Sequence, residues 1–402
     1  MAPATPDVSA SLGPLPGQNP PPSAAPEPVL FASPNVTETD IEAVTAVLRS
    51  GWLTTGFESA GLESDLQDYL GTAHAVAVSS CTAALEIALA HLRLPNGARV
   101  GVPAWTFAST ALAAVHNSLQ PVLIDADPGS LNLSPTALEP ALAQGLDAVI
   151  AVHFGGVPVD KAVRDLCTAS GVPLIEDAAH ALGASDDRGL IGGPGTPAAC
   201  FSFYATKNLT SAEGGALTTD DPELAAFART YRLHGMSADS LARYRPGATA
   251  GYDVHEPGIK ANLPDVLAAL ARSQLRRFVE MQDRRRYLLH RYRRNLEPAG
   301  IRFVPEVVSL GSADHLAALL LPEGTDRGAV VANLRAAGIQ TSIHFQPLHH
   351  LQWFAANAEI GPGGLPVCDE AAPRALSLPL HLGLTIADVD RVCTALLDEV
   401  AR

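Results

Sequence analysis

The stretch Phe201-Ser202-Phe203-Tyr204-Ala205-Thr206-Lys207-Asn208 begins as an apolar run and ends in polar residues around one lysine. The apolar half is typical of a buried strand, and the polar half is typical of the loop that follows a strand. Only three of the 27 basic residues are lysines, namely Lys161, Lys207 and Lys260. Because arginine cannot act as an amine nucleophile, a lysine kept after a buried strand predicts amine chemistry at Lys207. Taken alone, Lys207 could equally be a loop lysine that reaches solvent.

Other short apolar runs alternate with helical stretches along the chain. The candidate strands are Ala75–Val78, Val100–Val102, Pro121–Ile124, Ala148–Val152, Pro173–Ile175, Cys200–Phe203 and Ala216–Thr218. This alternation is typical of a mostly parallel sheet that helices cover on both faces. The sequence therefore predicts an α/β fold with a seven-stranded, doubly wound sheet.

Two helices are predicted before the first strand. Thr37 begins a capped, acidic start for a helix over Ile41–Arg49, which Gly51 ends. A second helix is predicted over Gly61–Leu70, and Gly71 ends it.

The composition of the chain changes towards both of its ends. Residues 1–28 contain nine prolines and no lysine or arginine, which is typical of a disordered tail. Beyond Asn262 the chain becomes helical and rich in arginine, and it ends in a shorter mixed segment. We therefore expect a large domain over residues 29–275 and a smaller C-terminal α/β domain over residues 276–402.

Charge and composition argue against several classes of partner. The 402 residues carry a net charge of −15, which would repel a nucleic-acid backbone. No apolar run approaches the roughly 20 residues that cross a membrane, and no basic and then apolar leader begins the chain. We expect a cytoplasmic protein with no nucleic-acid or membrane partner. The five scattered cysteines lack the paired spacing of a zinc site. His349 and His350 are adjacent in the chain and so lack the spacing of two ligands on one helix face. We therefore assign no metal.

A carboxylate follows another predicted strand, in Leu174-Ile175-Glu176-Asp177-Ala178-Ala179-His180. The carboxyl ends of the strands are where doubly wound sheets collect their catalytic groups. A lysine amine and a carboxylate that can face a protonated pyridine nitrogen are together the requirements of pyridoxal phosphate. Asp177 can supply that carboxylate, although an ordinary helix cap is the alternative.

A third element is Ser79-Ser80-Cys81-Thr82, which lies between a predicted strand and an apolar helix. Small residues at a helix start leave unpaired amides open to a phosphate, although the same residues would also make a plain cap. A fourth element, Pro103-Ala104-Trp105-Thr106-Phe107, brings aromatic rings to the same sheet edge. We choose Phe107 as the partner of a flat cofactor ring and Trp105 as the second choice, with two core residues as the alternative.

These pieces, in this order, resemble the DegT-type sugar aminotransferases, also called the DegT/StrS family. The matching stretches are Ser50–Gly56, Val78–Leu85, Thr106–Thr110, Glu176–Gly183, Phe201–Thr210, Gly214-Gly215, Gly338-Ile339, His344-Phe345 and Leu376–Leu380. The likeness extends over the chain from Val29 onward. It implies the fold of the type I pyridoxal-phosphate transferases and an aminotransferase that acts on keto-sugars, usually linked to a nucleotide.

The resemblance also assigns roles to individual residues. Lys207 would carry pyridoxal 5'-phosphate as a Schiff base and move the proton, while Asp177 would pair with the ring nitrogen. It implies that the cofactor phosphate is held by Cys81, Thr82 and Ser202, together with Asn262 of the neighbouring subunit. It also implies that Phe107 stacks on the cofactor ring and that His180 lies near the 3-hydroxyl of that ring. A homodimer with shared active sites follows, in which His344 approaches the substrate. Members of the family commonly have glycine where this chain has Cys81. A cysteine can donate the same backbone amide to the phosphate, provided that the turn does not need a positive φ at this position.

A narrower resemblance concerns the enzyme that forms the 4-amino-4-deoxy-arabinose nucleotide. It depends on the stretches Trp52–Gly56, His234–Met236 and Pro257–Leu263. L-Glutamate would be the amino donor by analogy. Arg243, Arg245 and Lys260 could meet a nucleotide diphosphate, although a solvated charged loop is the alternative.

Three competing functions share this catalytic core. A keto-cyclitol would suit it as acceptor. Some relatives catalyse dehydration, but the resemblance implies that they replace the cofactor lysine with histidine, and here the residue is Lys207. A non-catalytic regulator that keeps the cofactor fold is the third.

Overall fold

The computed structural model describes residues 27–236, 252–306 and 311–401. The proline-rich tail, apart from residues 27 and 28, lies outside the described residues, as do Arg243 and Arg245. Within the described ranges, no helix is both long and apolar enough to cross a membrane.

Eight strands of the described chain form the main sheet and three form a smaller one. In chain order, the strands are β1 His74–Val78, β2 Arg99–Pro103, β3 Gln120–Ile124, β4 Ala148–Val152, β5 Leu174–Asp177, β6 Ser185–Asp186, β7 Gly189–Leu190, β8 Ala199–Ser202, β9 Gly215–Thr219, β10 Arg302–Phe303, β11 Ala317–Leu320, β12 Glu359–Ile360 and β13 Ala375–Leu378. The order in the main sheet is β1-β9-β8-β5-β4-β2-β3-β12, the smaller sheet is β10-β11-β13, and β6 pairs with β7. All seven predicted strands are therefore confirmed as members of one sheet.

The main sheet is mostly parallel. From β8 across to β12 every pairing is parallel, whereas β9 pairs antiparallel with both β1 and β8. Because β1 and β8 both run opposite to β9, they run in the same direction as each other. The carboxyl ends of β1, β2, β5 and β8 consequently meet at one edge of the sheet, where the site is built.

Helices cover both faces of this sheet. In chain order, the described helices are α1 Glu38–Ser50, α2 Phe57–Leu70, α3 Cys81–His91, α4 Ala108–His116, α5 Pro135–Ala143, α6 Lys161–Ser170, α7 Pro222–Tyr231, α8 Asp265–Leu275, α9 Phe278–Leu296, α10 Arg327–Ala336, α11 Gln352–Asn357, α12 Pro366–Ala371 and α13 Ile386–Val400. Alternate residues of β1 face different cores, because Val76 and Val78 pack with α3 whereas Ala75 and Ala77 pack with α2 and α8. This two-faced burial is the doubly wound arrangement that the apolar runs predicted.

The first two helices end where the sequence predicts, and α1 also begins at its predicted cap. Thr37 and Asp40 form a reciprocal capping box at the start of α1. Gly51 and Gly71 follow α1 and α2 in the left-handed conformation, each with a φ of 75°. A residue with a β-carbon is strained in this conformation, so glycine ends both helices. Helix α2 is longer than predicted, because it begins at Phe57 rather than at Gly61.

The smaller antiparallel sheet forms a second core with α9, α10 and α13. One short strand of the C-terminal segment, β12, instead pairs with β3 of the main sheet. The division into domains at residues 275 and 276 stays a prediction.

Candidate active site

A cavity of about 510 Å³ opens at the edge where the parallel strands end. This volume is suited to a small-molecule cofactor with its substrate. Eight of the residues predicted from the sequence line it, namely Cys81, Thr82, Phe107, Asp177, His180, Ser202, Lys207 and His344. The fold therefore brings together residues that are separated by up to 263 positions, from 81 to 344, in the chain.

Lys207 lies in the loop after β8, on the wall of this cavity. Its backbone N–H donates to the carbonyl of Tyr204 at 2.9 Å, which closes a tight turn. The side chain keeps some area exposed to the cavity, but protein atoms surround it closely enough that burial lowers the pKa of Lys207 to about 8. The negative charge of Asp177 opposes that shift and lies within electrostatic range of the amine.

The residue after Lys207 is fixed by a buried hydrogen-bond network. The side-chain amide of Asn208 donates to Oε1 of Gln282 at 2.9 Å and to the carbonyl of Ala313 at 2.7 Å. Its Oδ1 then accepts from Nδ1 of His315 at 2.8 Å. Because a buried amide with all its partners has one favoured orientation, this network positions the backbone that carries Lys207.

Asp177 ends β5 and is buried at 4% exposure. Its Oδ2 accepts a hydrogen bond from the hydroxyl of Thr110 at 2.8 Å. Its Oδ1 accepts from the backbone N–H of Ala179 at 3.1 Å and lies 3.6 Å from the sulfur of Cys81. A carboxylate held on both oxygens keeps one orientation towards the cavity.

The start of α3 forms the third wall. The side chain of Ser80 caps this helix by accepting from the N–H of Ala83 at 3.1 Å. Cys81 is its first residue and is not among the positive-φ positions, so the turn does not require glycine. The thiol of Cys81 donates to the carbonyl of Cys200 at 3.1 Å and so points into the core, while burial raises the pKa of the Cys81 thiol well above its usual value. The free amides of the helix start and the hydroxyls of Thr82 and Ser202 remain at the cavity, an arrangement that suits an anion.

His180 also lines the cavity. Its Nδ1 accepts from the N–H of Gly155 at 3.2 Å, which leaves the ring proton on Nε2 as a donor. Burial, with the charge of Lys207, lowers the pKa of His180 well below its usual value. The ring therefore stays neutral. It stacks on Phe345 with ring centroids 5.9 Å apart and lies 4.3 Å from the ring of His315.

The two aromatic candidates have different surroundings. Trp105 is fully buried and packs edge-to-face on Phe154, so it is a core residue. Phe107 is 62% exposed and lines the cavity. Its ring lies 6.0 Å from that of Phe345. The first choice from the sequence is therefore the ring that can reach a ligand.

His344 reaches the cavity from the C-terminal part of the chain. Its Nδ1 lies 3.0 Å from the hydroxyl of Ser377, and its ring stacks on Phe31 at 5.5 Å. Burial, with the charge of Lys207, lowers the pKa of His344 to about 4. A neutral imidazole at neutral pH follows.

Two of the predicted residues that the structure describes do not line this cavity. The amide of Asn262 donates to the hydroxyl of Thr55 at 2.6 Å, and the amine of Lys260 donates to Oδ1 of Asn262. Neither Asn262 nor Lys260 is among the residues that line the cavity. Arg245 lies outside the described residues.

Two residues of the site were missed by the sequence analysis. Thr110 lies four residues after Thr106, one helical turn away, and this spacing could have indicated that both hydroxyls face the same way. His315 gave no signal, because it lies more than 100 positions after Lys207 in the sequence and only folding brings it to Asn208.

Comparison with known proteins gives matches over nearly the whole chain. The DegT/DnrJ/EryC1/StrS aminotransferase family matches residues 34–397. The spore coat polysaccharide biosynthesis protein SpsC of Bacillus subtilis (strain 168) is 38% identical over 376 residues, which cover 92% of this chain and 96% of SpsC.

Solved structures agree with this match. A sugar aminotransferase from Streptococcus pneumoniae in its PMP form superposes with a TM-score of 0.86 at 28% identity, covering 93% of this chain and 99% of that one. PseC of Helicobacter pylori, an aminotransferase involved in the biosynthesis of pseudoaminic acid, gives a TM-score of 0.85 at 25% identity, covering 93% and 100%.

Proposed function

Because this chain belongs to the DegT/DnrJ/EryC1/StrS aminotransferase family, we propose that it moves an amino group from L-glutamate to a nucleotide-linked keto-sugar. It is a sugar aminotransferase of amino-sugar biosynthesis, and its cofactor is pyridoxal 5'-phosphate. The roles that we propose for individual residues depend on one observation: Lys207, Asp177 and the start of α3 line the same cavity.

The residues of the cavity fit this cofactor. When bound, it supplies an aldehyde that condenses with amines and a ring that withdraws electrons from the carbon that bears the nitrogen. The buried carboxylate of Asp177 would hold the ring nitrogen protonated, since Thr110 and the N–H of Ala179 fix its two oxygens. The amides at Cys81 and Thr82, with the hydroxyl of Ser202, would bind the phosphate.

The remaining groups orient the ring. Phe107 would cover one face of the ring, because its exposed ring lies on the cavity wall. His180 would donate its Nε2 proton towards the 3-hydroxyl, a role that a neutral imidazole fixed by Gly155 can fill.

Lys207 would remove the proton from the donor carbon in the first stage and deliver a proton to the acceptor carbon in the second. An amine serves as general base only when it is neutral, and burial brings the pKa of Lys207 to about 8, which makes the neutral form accessible near physiological pH. His344 would contact the substrate from the C-terminal part of the chain as a neutral hydrogen-bonding group.

A nucleotide-linked acceptor requires cations outside the cofactor cavity. Lys260 is exposed and would be one, with Arg245 as the second candidate. Among nucleotide-sugar enzymes, the 4-amino-4-deoxy-arabinose nucleotide aminotransferase is the narrower proposal, supported by the stretches at residues 52–56, 234–236 and 257–263. A keto-cyclitol is the competing acceptor.

We further propose a homodimer in which Asn262 of one subunit approaches the phosphate of the other. Neither Asn262 nor Lys260 lines the cavity of its own chain, which supports this proposal. A cytoplasmic location is the related proposal, supported by five buried cysteines that are all free thiols.

The experiment is a two-stage assay of the protein loaded with cofactor. L-Glutamate alone should change the absorption spectrum of the bound cofactor, and a keto-sugar nucleotide should then restore it. With ¹⁵N-labelled glutamate, the label should appear in the sugar product rather than in a keto-cyclitol offered in parallel. An unchanged spectrum would instead identify a non-catalytic regulator, and loss of a hydroxyl without gain of nitrogen would identify a dehydratase.

A further inference from the structure

Two histidines and one aspartate converge at a place outside the cavity. His349 and His350 lie on a short helical turn over Leu348–His350, and Asp369 lies on α12. The Nε2 atoms of His349 and His350 lie 2.8 and 2.7 Å from the same oxygen, Oδ1 of Asp369. We propose that these three side chains bind a divalent transition-metal ion of the Zn²⁺ type.

The donor atoms are already close to the geometry that such an ion needs. One ligand atom from each of the three residues lies within 4.8 Å of the others. Tetrahedral zinc, with bonds of about 2.0–2.1 Å, places its ligand atoms about 3.3 Å apart. The imidazoles and the carboxylate therefore need to separate by only about half an ångström. Side-chain rotation can supply this, because Asp369 is 56% and His350 is 36% exposed.

The donor set selects the class of ion. Two imidazole nitrogens and one carboxylate suit zinc and its neighbours, whereas calcium and magnesium prefer oxygen ligands alone. Three protein ligands leave a fourth position open, and the exposed sides of His350 and Asp369 leave room there for a water molecule. Without an ion, Nε2 of His349 carries a proton because it faces a carboxylate oxygen of Asp369, while its buried Nδ1 has no hydrogen-bond partner. Binding of the ion would move this proton from Nε2 to Nδ1, or release it, so that the lone pair of Nε2 faces the metal.

Both elements of the site are held in place by the main domain. The N–H of Leu348 donates to the carbonyl of Ala104 at 2.9 Å, which anchors the turn. Asp125 accepts from the N–H groups of Val367 and Cys368 at 2.9 and 3.0 Å, which anchors the start of α12. The ligands are thus preorganised before any ion binds, which lowers the entropic cost of binding.

The position of the site suggests what the ion would do. His344 and Phe345, which line the catalytic cavity, lie only a few residues before the turn. An ion bound to His349, His350 and Asp369 would tie this segment to α12. The ion would stabilise the segment rather than take part in amino transfer, because none of its three ligands lines that cavity.

The test is direct metal binding to the full chain loaded with cofactor, freed of any polyhistidine tag and treated with a chelator. Calorimetric titration with Zn²⁺ should give one saturable equivalent, and Co²⁺ should give the visible absorption of a tetrahedral site. His350→Ala and Asp369→Asn should each weaken Zn²⁺ binding about tenfold or more. The matched control is His116→Ala, because His116 forms a similar exposed pair with Glu86 but has no second histidine beside it.

Melting temperatures complete the test. Zn²⁺ should raise the melting temperature of the wild type and of His116→Ala but not that of His350→Ala. Melting of each variant without metal shows whether it is folded, so a folding defect is recognised independently. Absence of saturable binding to the wild type, or equal binding to His350→Ala, would show that the cluster is only a pair of histidine–aspartate hydrogen bonds.

Discussion

The hydroxyl of Thr110 donates a hydrogen bond to Oδ2 of Asp177 across 2.8 Å, and the hydroxyl of Thr106 lies 2.7 Å from that of Thr110. All three side chains are buried. The carboxylate that we propose to face the cofactor ring is therefore oriented by a chain of hydroxyls on the segment that also carries Phe107.

We expect Thr110→Val to weaken retention of pyridoxal phosphate about tenfold, since a hydrogen bond to a charged group contributes about 1.5–3 kcal/mol. Valine keeps the shape of threonine and removes only the hydroxyl. Thr110→Ser keeps the hydroxyl and should bind the cofactor like the wild type. Dialysis against cofactor-free buffer, followed by absorbance, measures the retained fraction. Equal retention by the valine and serine variants would show that Thr110 does not position Asp177.

Lys207→Ala should lose the absorption band of the covalently bound cofactor and all turnover, because no other lysine lines the cavity among the described residues. Lys161→Ala is the matched control. The amine of Lys161 is exposed and pairs with Asp165 at 2.5 Å. The control should keep both the band and the rate. Normal transamination by Lys207→Ala would contradict the proposal that Lys207 binds the cofactor and moves the proton.

Capture of the cofactor by the cofactor-free protein should depend on pH through Lys207. Burial lowers the pKa of Lys207 from 10.5 to about 8, so the amine carries a proton below pH 8 and is neutral above it. Only the neutral amine attacks an aldehyde. The capture rate should therefore rise about tenfold per pH unit below pH 8 and level off above it. Stopped-flow absorbance measures the profile, and a rate that continues to rise to about pH 10 would indicate an ordinary, solvated lysine.

Asn208→Ala should destabilise the protein by about 2–4 kcal/mol, since it leaves the buried Oε1 of Gln282 and Nδ1 of His315 without their partner and removes one of the two hydrogen bonds to the carbonyl of Ala313. It should also lower kcat, because Lys207 is the preceding residue. Asn357→Ala, which removes an exposed hydrogen bond to Trp353, is the control and should change neither quantity. Denaturant unfolding and steady-state kinetics measure the two effects. A variant as stable as the control would contradict the proposed network.

Shared active sites should show complementation between inactive subunits. Lys207→Ala and Asn262→Ala, coexpressed, should recover activity, because a mixed dimer contains one site with both native residues. The pair Lys207→Ala and Asp177→Asn should not recover, since both residues belong to the same cavity of one chain. Activity of purified mixed dimers measures the difference. Failure of the first pair to exceed the second would argue against a partner's Asn262 in the site.

The sequence by itself identified seven strands of the main sheet and the first two helices, and it selected Lys207 and Asp177, which the structure places in one cavity. The seven long strands are recognisable because each buries a continuous apolar run, and α1 and α2 are recognisable by their caps. Lys207 and Asp177 could be chosen because each directly follows or ends a strand, and parallel strands end at a common edge. Each of these patterns lies within a short stretch of the chain, so it can be recognised in the sequence without the structure.

Only the tertiary structure decided the features that depend on distant residues. The strand β12 has two residues and no apolar run, and it exists because it pairs with Val122 and Leu123. The choice between Trp105 and Phe107 depended on which ring the surrounding core encloses. The turn that carries His349 and His350 brings neighbours in the chain to one carboxylate, which helical spacing does not predict. The physical reason is the same in each case, because packing sets the distances between residues that are far apart in the chain and sequence periodicity does not record them.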